Sequence, residues 1–307
     1  MTVYLIVCAI LGVIFGVAYY AYRIAFYAPM KDREKIPEIE DEKYEVHKNA
    51  IRDLYQELQK RPCEFVTVQS RDGLTLSGRY YHIKDDAPVA IGFHGYRSCW
   101  LIDFCGGADI AFQMEQNVLL IDQRAHGKSQ GRSITFGIKE RYDLLCWTDY
   151  ILTRFGPDTK ILLYGISMGA ATVLMASGLE LPKNVKGIIA DCPYSSPLDI
   201  ILEVGKQTGY PPRLIRPFVI LGAKIFGGFD VRETSAEEAV RHSMVPTLLI
   251  HGADDNFVPA EMSEKIAKAN PEMVQRHTIP GADHALSYMV DTPRYRKLVT
   301  EFVQSVL

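Results

Sequence analysis

The 307-residue chain has no repeat at a fixed period, no glycine-rich phosphate loop and no basic tract laced with aromatic residues. Those absences exclude solenoids and propellers, phosphate-loop nucleotide chemistry and a charged groove for nucleic acid. Acidic side chains outnumber basic ones and leave a formal charge of -3, which gives a polyanionic partner little to hold. The eight histidines are scattered, and no pair shows metal-ligand spacing such as His-Glu-x-x-His. Neither a metal nor an organic cofactor is therefore expected. Of the six cysteines, Cys8 lies in a long apolar run, and of the other five only Cys99 and Cys105 are close enough to suggest a local bridge. Reduced thiols are the simpler reading.

Apolar residues are abundant, at 48% of the chain, which suffices for a large core in a single catalytic domain. The first apolar run, Val3 to Tyr22, carries no charge and continues past Arg23 through Ile24, Ala25, Phe26 and Tyr27. It matches the roughly 20 residues that a spanning helix requires, so residues 1–28 are expected to form a transmembrane anchor. A cleaved signal peptide would carry Lys or Arg ahead of a shorter run. Tyr4 near one end, with Tyr19, Tyr20, Tyr22 and Tyr27 near the other, suits anchoring at the two interfaces. Arg23, Lys31, Arg33 and Lys35 all follow the span, and that bias favours a cytoplasmic catalytic domain.

Residues 29–62 read as a charged linker, Lys31 to Lys43 with Pro37, followed by an amphipathic helix. Tyr44, Ile51, Leu54, Tyr55 and Leu58 recur at helical spacing, predicting a helix that packs on the domain or lies at the membrane surface. Arg61-Pro62 ends it. The runs Glu64 to Val68 and Leu74 to Tyr81, joined across Arg71-Asp72-Gly73, predict a hairpin. Later strands alternate with helices, which predicts a mostly parallel sheet with an antiparallel start.

The most informative segment is Gly165-Ile166-Ser167-Met168-Gly169, between the apolar run Lys160 to Tyr164 and the helix-forming run Ala170 to Ala176. A serine at a sharp strand-to-helix turn, with glycines two residues to either side, exposes its Oγ above a sheet. Further along, Pro246 to Ile250 reads as a buried strand that leads into the polar loop His251 to Pro259, with Asp254 and Asp255 adjacent. Ile279 to Leu286 places His284 just after another short strand. Upstream, Val89 to Phe93 leads into His94-Gly95-Tyr96. Nucleophile, acid and histidine thus follow in the order Ser, Asp, His.

From about Cys63 to the C-terminus these residues resemble the alpha/beta-hydrolase fold family, closest to its membrane-anchored esterase-like and serine-peptidase-like members. The resemblance implies an eight-stranded, mostly parallel sheet flanked by helices across residues 63–307, with a helical cap inserted at about 194–243. It also implies a triad of Ser167, Asp255 and His284, with an oxyanion hole from the backbone N–H groups of Tyr96 and Met168. Family spacing, His-Gly-x-x-Asp-x-x-Val-Pro, selects Asp255 over Asp254. Asp191, at the end of the preceding strand, is the second candidate for the acid. Asp122-Gln123-Arg124-Ala125-His126-Gly127-Lys128-Ser129 matches a structural segment of the family, with Ala125 where glycine is usual. His94 and His251 are expected to brace loops.

The cap region holds apolar, helix-like segments at Leu198 to Gly205 and Leu214 to Phe226, split by Gly209-Tyr210-Pro211-Pro212. Such a cover suits an acyl chain or an aromatic acid. The expected activity is serine-dependent cleavage of carboxylic esters, on a small or lipid-like substrate, through an acyl-enzyme. An aminopeptidase or thioesterase of the same fold is the alternative, and a catalytically idle ligand-binding module is the alternative from another class. The reading also expects removal of residues up to about Asp41 to release a soluble, active enzyme. The oligomeric state is not legible.

Overall fold

The computed structural model describes residues 1–29, 35–36 and 42–307. Of the expected linker over Lys31 to Lys43, residues 31–34 and 37–41, which include Lys31, Arg33 and Pro37, lie outside the described residues.

Eight strands form one sheet: β1 (Glu64–Gln69), β2 (Thr75–Tyr81), β3 (Val89–Phe93), β4 (Asn117–Asp122), β5 (Ile161–Ile166), β6 (Val185–Asp191), β7 (Thr247–Gly252) and β8 (Val274–Ile279). Their order is β1-β2-β4-β3-β5-β6-β7-β8, with β2 antiparallel to both β1 and β4 and every other pairing parallel. The predicted hairpin is present. The Ser70 hydroxyl accepts the Leu74 N–H at 2.8 Å and Gly73 adopts φ +84°.

The central strands are apolar on both faces, as a sheet covered by helices on both sides requires. Alternate residues divide between two cores. Ile91, Leu119, Leu163 and Leu249 pack on one side with the helix Met168–Ala176, while Ala90, Leu120, Leu162 and Leu248 pack on the other with the helices Cys105–Gln113 and Thr292–Val306. The helix Lys48–Lys60 packs on the domain, with Leu58 beside Tyr81 and Phe112, and Ile51 beside Cys105 and Leu286. In the cap, the helices Pro197–Gln207 and Pro212–Gly222 are separated by a turn at Gly209, φ +88°.

The helix Thr2–Ala25 has a mean hydropathy of 2.4 over its most apolar window and, among the described residues, is the one helix long and apolar enough to cross a membrane. Its first two-thirds projects from the domain with Leu5, Ile6, Ile10 and Phe15 exposed. Its last turns do not stand apart. Tyr22, Phe26 and Ala28 join the same core as β3 and β5, and the Ile134 N–H donates to Phe26 O at 2.8 Å. The backbone also crosses the cap closely, since a Cβ on Gly222 would lie 2.5 Å from Ala18 O. The division at residue 28 drawn from the sequence therefore falls inside a packed unit. Tyr22 and Phe26 are apolar enough to serve a lipid-facing helix or a core, and composition alone does not separate the two.

Candidate active site

Ser167 stands between β5 and the helix Met168–Ala176, with φ +54° and ψ -113°, a backbone conformation strained for a side-chain-bearing residue. Two glycines permit it. A Cβ on Gly165 would meet the backbone of Gly169 at 2.4 Å, and one on Gly169 would sit 1.8 Å from Phe93 O. Because both obstacles are backbone, neither can move aside cheaply. Gly169→Ala is expected to destabilise the protein by about 3 kcal/mol or more, the upper range for overpacking. A melting temperature within about 1 °C of wild type, measured in detergent, would contradict this close approach.

Three side chains from separate elements meet at the carboxyl ends of the strands. The His284 ring lies in the loop after β8, with Nδ1 2.7 Å from Asp255 Oδ2 and Nε2 2.9 Å from Ser167 Oγ. An ionised carboxylate only accepts, so Nδ1 carries the proton, Nε2 accepts, and the Ser167 hydroxyl donates to it. Asp255, in the loop after β7, turns Oδ1 to the N–H groups of Phe257 (3.0 Å) and Val258 (2.8 Å). Burial alone would raise its carboxyl. Hydrogen bonds from His251, His284 and the Val258 N–H outweigh burial and hold it far below the usual carboxylate range. All three side chains are buried.

The neighbouring candidates are placed differently. Asp254 is exposed, and its N–H donates to Ala282 O at 3.0 Å. Asp191 is buried at the end of β6, where its main-chain carbonyl accepts the Ser167 N–H at 2.8 Å and its carboxylate faces Ser287 and Tyr295. Burial pushes that carboxyl up to about 6, against the pull of His251 and a hydrogen bond from Tyr295. His251 packs under the acid loop, with Nε2 2.9 Å from Val258 O and 3.2 Å from Asp255 Oδ2.

Met168 opens its helix, where the first N–H groups lack intrahelical acceptors. Tyr96 follows Gly95, and a Cβ on Gly95 would come within 3.4 Å of the Ser167 Cβ, so this loop abuts the serine. His94 braces the loop as a neutral ring, with Nδ1 at 2.8 Å from Gly95 O and Nε2 accepting the Gln123 N–H at 3.1 Å. The segment Asp122 to Ser129 is structural. Arg124 pairs with Asp143 at 2.6 Å and Asp72 at 2.9 Å, His126 accepts the Arg97 N–H, and Ala125 takes φ +63° where glycine is usual.

Side-chain contacts of Asp103, Tyr44, Tyr96 and Arg97 complete the site and were not expected from the sequence. Asp103 accepts the Gly95 N–H at 2.6 Å and the Ser98 hydroxyl at 2.5 Å, fixing the loop beside the serine. Tyr44 donates to His284 O at 3.1 Å. On the far side of the loop, the Tyr96 hydroxyl donates to Ala25 O at 2.9 Å and the Arg97 guanidinium to Ile24 O at 2.8 Å, so the loop beside Ser167 also caps the N-terminal helix. The Tyr44, Tyr96 and Arg97 contacts join residues at least 71 positions apart, beyond any local spacing. Cys192, Asp255 and His284 bring ligand atoms within 4.8 Å of one another. A metal there would take one nitrogen of the His284 ring from its hydrogen-bond partner, and burial keeps the Cys192 thiol protonated by raising its pKa far above normal.

Ser167 opens onto a cavity of about 540 Å³ whose lining is apolar apart from a few hydroxyl groups and Arg97. Its walls are the cap, through Ile200, Ile215 and Val219, and the N-terminal helix.

A family model described as the alpha/beta hydrolase fold matches residues 91–245, half of the 307-residue chain. The chain belongs to the alpha/beta-hydrolase fold family. The match ends before Asp255 and His284. This alpha/beta hydrolase is 25% identical over 256 residues to the uncharacterized protein YqkD of Bacillus subtilis, covering 83% of each chain. It is 31% identical over 133 residues to thiohydrolase aneE of Aspergillus aculeatus, across 42% of this chain and 40% of the other. Among solved structures it superposes on the Pyrococcus furiosus esterase Pf2001 with a TM-score of 0.67 at 24% identity, covering 83% of this alpha/beta hydrolase and 93% of the esterase.

Proposed function

We propose that this alpha/beta hydrolase is a serine hydrolase that cleaves carboxylic esters through an acyl-enzyme, anchored to a membrane by the helix Thr2–Ala25. The observation that carries the reading is the line of hydrogen bonds from Ser167 through His284 to Asp255, opening on an apolar cavity.

In this reading Ser167 Oγ attacks the acyl carbon while His284 Nε2 takes its proton. The oxyanion that forms is held by the N–H groups of Met168 and Tyr96, with the N-terminus of the helix Met168–Ala176 adding partial positive charge. His284 then gives the proton to the departing alcohol. A water, deprotonated by the same nitrogen, attacks the acyl-enzyme and releases the acid with Ser167 restored. Asp255 fixes the tautomer and stabilises the imidazolium.

The cavity argues for an acyl group over a peptide. Among the described residues no carboxylate lines it, so an aminopeptidase substrate would bury its ammonium group without a partner there. A thioester is the second reading, because the cavity would hold the same acyl part and a thiohydrolase is among the relatives. The charge excess after the span, in Arg23, Lys31, Arg33 and Lys35, favours a cytoplasmic domain.

A fluorophosphonate probe is expected to label Ser167, and in a panel of butanoyl ester, butanoyl thioester and aminoacyl anilide the ester should turn over fastest. No labelling, or faster anilide cleavage, would overturn the reading.

A further inference from the structure

The N-terminal helix presents Val17, Tyr20, Ala21 and Ile24 to the cavity in front of Ser167. These are positions i, i+3, i+4 and i+7, one continuous stripe along roughly 10 Å of helix. Ala18 and Tyr22, on another face of the same turns, are buried, with the cap backbone pressed against Ala18 O. Tyr19 also packs edge-on against Phe226 of the cap, ring centroids 5.1 Å apart. One helix thus joins the domain through one side and encloses the acyl cavity with the next.

Length then fixes where the cavity sits relative to a bilayer. The part of the helix that projects beyond the cap contacts, Val3 to Gly16, is about 21 Å long at 1.5 Å per residue. A hydrocarbon core is about 30 Å thick. A helix that crosses it must therefore place residues 17 to 22 at acyl depth as well, and these residues carry the cap and the cavity mouth with them. The cap surface fits that depth. Leu214, next to the cavity-lining Ile215, is 67% exposed and Tyr210 is 45% exposed. Arg213, Arg216 and Lys224 are exposed on the same cap segment, where phospholipid headgroups would meet them.

We propose that the seam between the N-terminal helix and the cap is a port through which a single-chain acyl ester passes from the bilayer to Ser167, with the helix as one wall of the acyl site. The proposal rests on the serine-hydrolase reading above and adds the source of the substrate and a specificity-determining role for Val17, Tyr20, Ala21 and Ile24.

The test uses the full chain reconstituted in phosphatidylcholine vesicles and the ratio of kcat/KM for p-nitrophenyl dodecanoate to that for p-nitrophenyl butanoate. Val17→Trp should lower this ratio at least tenfold by filling the seam, whereas Ile10→Trp, on the projecting part of the helix, should leave it at the wild-type value. Leu214→Glu places a charge on an exposed position that the fold does not need, and should also lower the ratio by lifting the cap rim out of the acyl region. Fluorophosphonate labelling of Ser167 in each variant reports that the site has folded. A Val17→Trp ratio within twofold of wild type in labelled protein overturns the helix as a wall. A Leu214→Glu ratio within twofold of wild type overturns entry from the bilayer. If the wild-type protein cleaves neither ester and Ser167 takes no label, the hydrolase reading itself fails, and the port with it.

Discussion

Ser167→Ala should lower kcat by on the order of 10⁶ while the melting temperature stays near that of wild type, because in the proposed reaction this hydroxyl carries the acyl intermediate. The backbone strain at this position is set by Gly165 and Gly169, which the substitution does not touch. His284→Ala should cost about as much, and the double variant should be little worse than either, since the serine is reactive only with its proton acceptor in place. The three rates, measured on one ester with protein shown folded by thermal melt, decide the matter. Additive losses, or residual activity above about 1% of wild type in the serine variant, would place the chemistry elsewhere.

Asp255→Asn should lower kcat by roughly 10⁴, and the structure supplies the reason. Oδ1 of Asp255 already accepts from the Phe257 and Val258 N–H groups, so an asparagine would keep its oxygen there and turn its amide N–H₂ toward His284. Nδ1 would then have to accept, the proton would move to Nε2, and an N–H would face Ser167 where a lone pair is needed. Asp254→Asn, on an exposed side chain, should change kcat by less than about threefold. Should Asp191→Asn prove the most damaging of the three on the same substrate, the acid would belong to β6.

The parts of this molecule that were legible in the sequence are those fixed by local physics. The elbow at Ser167 is a strand, a strained residue and a helix within sixteen residues, and its glycines are required by backbone contacts that any such turn makes. The hairpin at Gly73, the cap break at Gly209 and the amphipathic helix through Ile51 and Leu58 likewise follow from turn chemistry and spacing. Contacts between distant segments were not legible. Tyr44 on His284 O and Tyr96 on Ala25 O connect residues 240 and 71 positions apart. The N-terminal helix is the largest such case. Its apolar residues satisfy the pattern of a membrane span, so nothing in the pattern reveals that Tyr22 and Phe26 also belong to the core. The soluble, active fragment expected from removing residues up to Asp41 would lose those core side chains, one wall of the cavity and the Ile24, Ala25 and Tyr27 carbonyls that accept from the Tyr96 and Arg97 side chains.

The pairing of Ala18 with Gly222 has a consequence for biosynthesis. A ribosome adding about 5–20 residues per second delivers the cap helix roughly 10 to 40 s after the helix against which it packs. For that interval the stripe through Val17 and Ile24 has neither cap nor cavity beside it, and its surroundings supply whatever covers it. His284 comes later still, after the cap. Any ester reaching Ser167 during that part of synthesis therefore meets a serine that does not yet have His284 beside it.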